Sequence, residues 1–187
     1  KIAFQPALAS GTLTLEERNT LLATMTDDVA ALVLRDNYLQ PQAISLEHRQ
    51  GPALLEAHAR LIHTWEQSGR LDRAVAFLPT DEQIAQRAQA GEGLSRPELA
   101  ILLAHAKLAL CDELVHTALP DDPAVEPDLM GYFPKAMQTH FANAIRTHRL
   151  RREIVATVLA NDLVNRMGPA FAQGLAERTG HSPVDVV

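Results

Sequence analysis

The chain has 187 residues, 47 % hydrophobic but only 4 % aromatic, with a formal net charge of −6. That length and apolar share suffice for a buried core and exclude a disordered chain. The negative balance argues against nucleic acid or an anionic membrane surface as a partner. A single cysteine, Cys111, excludes an intramolecular disulfide and fits a reducing, cytoplasmic setting. Ala and Leu supply most of the apolar mass, and both favour helix, whereas strands prefer β-branched and aromatic residues.

In chain order, Thr14-Leu15-Glu16-Glu17 forms a capping box, and Leu15, Leu22, Met25, Val29 and Leu32 follow at helical spacing. The pattern predicts helix to about Leu39, stopped by Pro41. Thr26-Asp27-Asp28 supplies a second start signal, so one long helix and two short ones both fit. Residues 42–50 read as a separate helix before Gly51-Pro52. Pro52 to Ser68 reads as a helix with Leu54, His58, Leu61 and Trp65 on one face, Leu55 and Ile62 beside them, and Gly69 as its stop. A short helix is expected over 71–78. Thr80, with Gln83 at the capping-box position, opens a helix over 81–90, closed by Gly91 and Gly93.

Ser95-Arg96-Pro97-Glu98 is the clearest start signal in the chain. The helix it opens is expected to reach about Leu119. From Leu99 to Val115 it is apolar except for His105, Lys107, Asp112 and Glu113, so it should lie among other helices and is too interrupted for a membrane span. Pro120, Pro123, Pro127 and Pro134 mark a connection with one short helix at most. Residues 135–148 read as helix, 147–150 as a bend, 150–167 as helix ended by Gly168-Pro169, and 169–179 as the last complete helix. Both ends read as interior to a longer chain, because Lys1 replaces an initiator Met and Ser182-Pro183 opens a helix five residues before the end. The predicted fold class is all-α. It is an irregular multi-helix bundle with a central buried helix near residues 97–119, within a single helical domain, 1–187. Residues 1–40 serve as a linking or supporting helix and 41–187 as the bundle.

Chemistry-bearing motifs are sparse. Neither glycine-rich phosphate loop occurs, and Gly91-Glu92-Gly93 follows a helix rather than a strand, which reads as a flexible connection. Glu113 and His116 have the i, i+3 spacing of di-metal bundles, but no second such pair accompanies them. His58, on an apolar face, reads as a hydrogen-bonded core histidine, and Cys111 as packing. Arg146, His148, Arg149, Arg151 and Arg152 form a basic cluster, read as cations on a helix C-terminus or as a docking patch for an acidic neighbour. Two apolar faces turn polar: Ile154 and Val158 lead to Asn161 and Asn165 with Asp162 adjacent, and Val29 and Val33 lead to Asp36 with Asn37 and Tyr38 next. Buried polar groups must be hydrogen-bonded. These groups are therefore expected to pair with each other, with Arg151, Arg152 or Arg166, or with a surface outside this sequence.

Several segments carry a resemblance: Lys1-Ile2, Arg18–Leu22, Met25–Ala30, Leu32–Gln40, Leu94–Ala100, Ala106–Leu108, Leu119–Pro123, Tyr132–Pro134, His148–Ile154, Ala160–Asp162, Asn165-Arg166 and Gly168-Pro169. In this order the chain resembles the C-terminal helical region of the large NAD-specific glutamate dehydrogenases of bacteria, with a departure at Pro41, where a threonine-like residue is expected. Lys1-Ile2 is similar to the tail of the dinucleotide-binding domain. The resemblance implies a parent that converts L-glutamate, NAD and water into 2-oxoglutarate, ammonia and NADH, through a lysine-centred pocket and a cofactor domain upstream. It carries no catalytic, cofactor or metal residue onto this segment. It implies NAD in the parent, packing against the upstream catalytic domain, and a homo-oligomer. The alternative is an independent helical scaffold or regulatory module.

Overall fold

A computed structural model describes residues 2–187, apart from the side chain of residue 186. Lys1, half of the Lys1-Ile2 pair, lies outside the described residues. Among these residues there is no strand. The α-helices are α1 (Gln5–Ala9), α2 (Leu15–Thr24), α3 (Thr26–Arg49), α4 (Gly51–Gln67), α5 (Asp81–Ala90), α6 (Arg96–Leu114), α7 (Glu126–Gly131), α8 (Lys135–His140), α9 (Ala142–Arg146), α10 (Arg151–Met167) and α11 (Phe171–Thr179). Single 3-10 turns cover Ile2–Phe4, Leu119–Asp121, Pro123–Val125 and Pro183–Val186. The fold is all-α, as the composition predicts. Among the described residues no helix is long and apolar enough to cross a membrane.

The capping signals hold. The Glu17 amide donates to Thr14 Oγ1 at 3.1 Å, and the Thr14 amide donates to Glu17 Oε2 at 2.8 Å. Thr80 and Gln83 repeat the arrangement at α5. At α6 the Ser95 amide donates to Glu98 Oε2 at 2.7 Å. The boxes at Thr14 and Thr80 satisfy donors that a helix start leaves orphaned, whereas at α6 the Ser95 hydroxyl as well as its amide donates to Glu98 Oε2. Glu98 also accepts a bidentate bond from Arg87 of α5 at 2.6 and 2.8 Å.

Four boundaries differ from expectation. Pro41 does not stop α3, which runs on to Arg49, so 42–50 is no separate helix. Pro41 is exposed, so water can serve the Asn37 carbonyl that the imino ring leaves unbonded. Residues 71–78 form one closed turn rather than a helix. Asp72 Oδ1 accepts the Ala74 and Val75 amides at 3.0 Å, and the Leu78 amide donates back to the Arg73 carbonyl at 3.0 Å across Phe77 at φ 52°. That is a helical turn capped at once at both ends. Helix α6 ends at Leu114, short of Leu119, as the His116 and Thr117 amides turn back to the carbonyls three residues earlier. The stretch 135–148 is two helices, because Phe141 adopts φ −129°; its ring stands edge-on to Phe4 at 5.0 Å. The two start signals near Thr14 and Thr26 resolve as two helices meeting at Met25.

The chain divides into two compact units: residues 1–38 with 111–159, and residues 39–110 with 160–187. The first has a core of Phe4, Met25, Val125, Leu129, Met137, Ile145 and Val155. In the second, Leu55, Leu61, Ile62, Trp65, Leu99, Leu102 and Val164 are buried. From Glu98 onward every residue of α6 is at least partly buried except Ala104, Leu108 and Asp112, which are exposed at a spacing of four. Gly93 packs on Gly51: a Cβ at Gly93 would stand 2.4 Å from the Gly51 Cα, so the loop read as flexible is a close contact of two backbones.

Candidate functional sites

In the first unit the basic cluster becomes a clamp. Arg151 and Arg152, both in the first turn of α10, bond the two carboxylate oxygens of Asp121. Arg152 also donates to the carbonyls of Val115 and Thr117 at 2.9 and 2.6 Å, just past the end of α6. Arg151 donates to the Pro120 carbonyl at 3.2 Å. The expectation that these cations dress their own helix C-terminus needs correcting: they sit at the positive end of α10, an unfavourable place that Asp121 compensates, and Arg152 serves carbonyls at the end of another helix. Arg146 is in the last turn of α9 and pairs with Glu126 at 2.8 Å. A pocket of about 170 Å³ lies beside the clamp, lined by residues including Asp121, Asp122, Glu126, Arg146 and Arg151. Both arginines are already matched by carboxylates, so its charge does not select an anion.

Asp36, Asn37 and Tyr38 are exposed along α3, Tyr38 at 67 %. In the second unit Asp162 pairs with Arg166 at 3.2 Å, one helical turn along α10. Asn161 and Asn165 are half-buried; Asn165 Oδ1 is buried without a hydrogen-bond partner among the described residues. Thus Arg151 and Arg152 join Asp121, which the sequence reading did not include, while Asp162 and Arg166 join each other.

The most enclosed polar pair is Glu47 with His58. His58 is fully buried, and its Nε2 lies 2.9 Å from Glu47 Oε2. The expected core histidine is hydrogen-bonded, and its Nδ1 has no partner among the described residues. Glu47 Oε1 occupies the space over Gly168, where a Cβ would come within 2.0 Å of it. Sequence reasoning missed Glu47; the signal was a carboxylate one turn after Ala43, on one face of the stretch 42–50 that reads as a separate helix.

Metal and nucleophile geometries are poorly served. His116 is exposed beyond the end of α6, so Glu113 and His116 do not share a helix face. Among the described residues no three His, Cys, Asp or Glu side chains converge as a metal site would require. Cys111 lies 3.6 Å from the Thr157 hydroxyl. The polar contacts described satisfy carbonyls past the end of α6 and pair Arg151 and Arg152 with Asp121, and Glu47 with His58.

A family model described as glutamate dehydrogenase, C-terminal, matches residues 91–187. One described as bacterial NAD-glutamate dehydrogenase, catalytic domain, matches residues 1–47. The NAD-specific glutamate dehydrogenase of Pseudomonas aeruginosa is 45 % identical over 186 residues. That of Mycobacterium tuberculosis is 42 % identical over 187 residues, and that of Halomonas elongata 39 % over 186. Each comparison covers 100 % of this chain but only 12 % of the relative's length. The C-terminal model spans more than half of this sequence, and the chain belongs to the glutamate dehydrogenase C-terminal family.

Proposed function

We propose that this chain is the C-terminal helical region of an NAD-specific glutamate dehydrogenase and acts in structure, domain packing or oligomer contacts, not in catalysis. The observation that carries the reading is the order of the two family matches: a catalytic-domain model across 1–47, then a C-terminal model across 91–187. The parent reaction would convert L-glutamate, NAD and water into 2-oxoglutarate, ammonia and NADH. NAD and glutamate would be held by residues outside this sequence. The clamp on Asp121 and the Glu47–His58 pair would keep the helical region rigid.

The test is glutamate-dependent NADH formation, measured on a longer polypeptide that includes the upstream region and on these 187 residues alone. Turnover is expected from the former and none from the latter. Turnover by the shorter chain, or a longer protein inert toward glutamate and NAD, would refute the reading.

A further inference from the structure

Helix α3 turns an apolar face outward. Val29 is 46 % exposed, Val33 52 %, Leu34 66 % and Tyr38 67 %. Val29 and Val33 are one turn apart, as are Leu34 and Tyr38, and exposed Ala30, one turn from both Val33 and Leu34, joins the two pairs across the outer half of the helix. Scattered apolar residues on a surface are ordinary, but a contiguous set on one helix marks a face built to be covered. All four residues belong to the first unit, whose core lies elsewhere, around Phe4, Met25 and Ile145.

We propose that this face is a docking surface for the rest of the catalytic domain upstream in the same polypeptide. The proposal rests on the reading above, that this sequence is one region of an NAD-specific glutamate dehydrogenase. Two observations select this occupant over a second copy of the chain. The catalytic-domain family model includes the whole face, since it matches residues 1–47 and the C-terminal model begins only at residue 91. The chain also spans 12 % of the length of its relatives, so most of a catalytic domain like theirs would lie outside this sequence. A helix that belongs to a domain faces that domain's core with its apolar stripe. Tyr38, at the end of the stripe, offers a hydroxyl that can stay at the rim while its ring is covered.

Hydroxyl-radical footprinting of the full-length dehydrogenase tests this, with Leu34 and Tyr38 read by mass spectrometry against the same residues in the urea-unfolded protein. The face as it stands in this structure would label nearly as fast as the unfolded chain. If the catalytic domain covers it, labelling falls by about tenfold at every protein concentration. Labelling at the unfolded rate would overturn the proposal. Protection that disappears as subunits separate on dilution would also overturn it, in favour of a second copy. Glutamate-dependent turnover measured on the same preparation separates the two readings. Turnover with Tyr38 fully labelled removes the docking surface alone. Protection of Tyr38 without turnover removes the dehydrogenase assignment and leaves an upstream partner on α3.

Discussion

Gly168 shows how one residue can hold a polar pair in place. Its φ of +85° lies in the region that L side chains rarely adopt, and the space its missing Cβ leaves is filled by the Glu47 carboxylate, which bonds buried His58. Gly168→Ala should therefore lose stability twice. The left-handed backbone costs roughly 1–2 kcal/mol, and pushing Glu47 off His58 costs roughly 1–3 kcal/mol more, because a buried ring is left unpaired. Urea denaturation should show the loss, and a double-mutant cycle should divide it. In a Glu47→Ala background the same glycine substitution should cost only the backbone part. An equal cost in both backgrounds would mean that Glu47 and Gly168 are not coupled. Glu98 gives the second prediction at this scale. Burial alone would raise its carboxyl, but the Arg87 guanidinium and the Ser95 hydroxyl and amide hold it below the ordinary glutamate value. A folded-state value below the unfolded one means stability that is present above the unfolded value and drains away as pH falls through the folded one. Glu98→Gln keeps the capping geometry and removes the charge. Its melting temperature should fall below that of the unsubstituted protein at neutral pH, and the gap should narrow as the pH falls below the ordinary glutamate value of about 4.3. A gap that stays constant into acid would remove the carboxylate's charge from the explanation.

At the scale of elements, the local signals were readable and the continuity was not. The boxes at Thr14 and Thr80, the Ser95–Glu98 pairing at the start of α6, the stops at Gly69 and Gly91, and the buried face of α4 all follow from a few neighbouring residues. The errors came where a helix either survived a breaker or broke without one. Pro41 fails to break α3 because its position is exposed, which no local pattern states. Phe141 breaks 135–148 without Pro or Gly, at the residue whose ring meets Phe4, a neighbour far away in sequence. The polar groups divide in the same way. His58 was legible from its apolar face, whereas Asp121 as the acceptor for Arg151 and Arg152 depends on a fold-back across a proline-rich connection. Pro41 also makes α3 improvable. The ring removes one helical hydrogen bond, while proline's restriction of the unfolded chain offsets part of that loss. Pro41→Ala should raise stability by about 1 kcal/mol. A lower denaturation midpoint would show that α3 needs its proline, for instance to set a bend.

For the whole molecule, both compact units are built from discontinuous stretches, and the divisions fall inside α3, α6 and α10. A helix pattern read along the sequence cannot reveal such a division, because it is periodic through the boundary. The helical design also bears on cofactor binding. A dinucleotide is commonly held at a helix N-terminus reached from a strand through a glycine-rich turn. Here the N-termini of α2 and α5 are occupied by their own capping boxes, Glu98 closes the start of α6, and Gly93 presses on the start of α4. Arg151 and Arg152 at the start of α10 are already bound to Asp121. We therefore expect NAD to leave the melting temperature of these 187 residues unchanged while raising that of a longer polypeptide that includes the catalytic domain. The experiment has ample range, since ligand at a hundredfold excess over Kd stabilises the folded state by about 2.7 kcal/mol. For a chain of this size that corresponds to roughly 5–10 °C. A shift of that size in the shorter chain at millimolar NAD would place a nucleotide site among these helices, and the proposed division between a catalytic region upstream and a packing region here would fail.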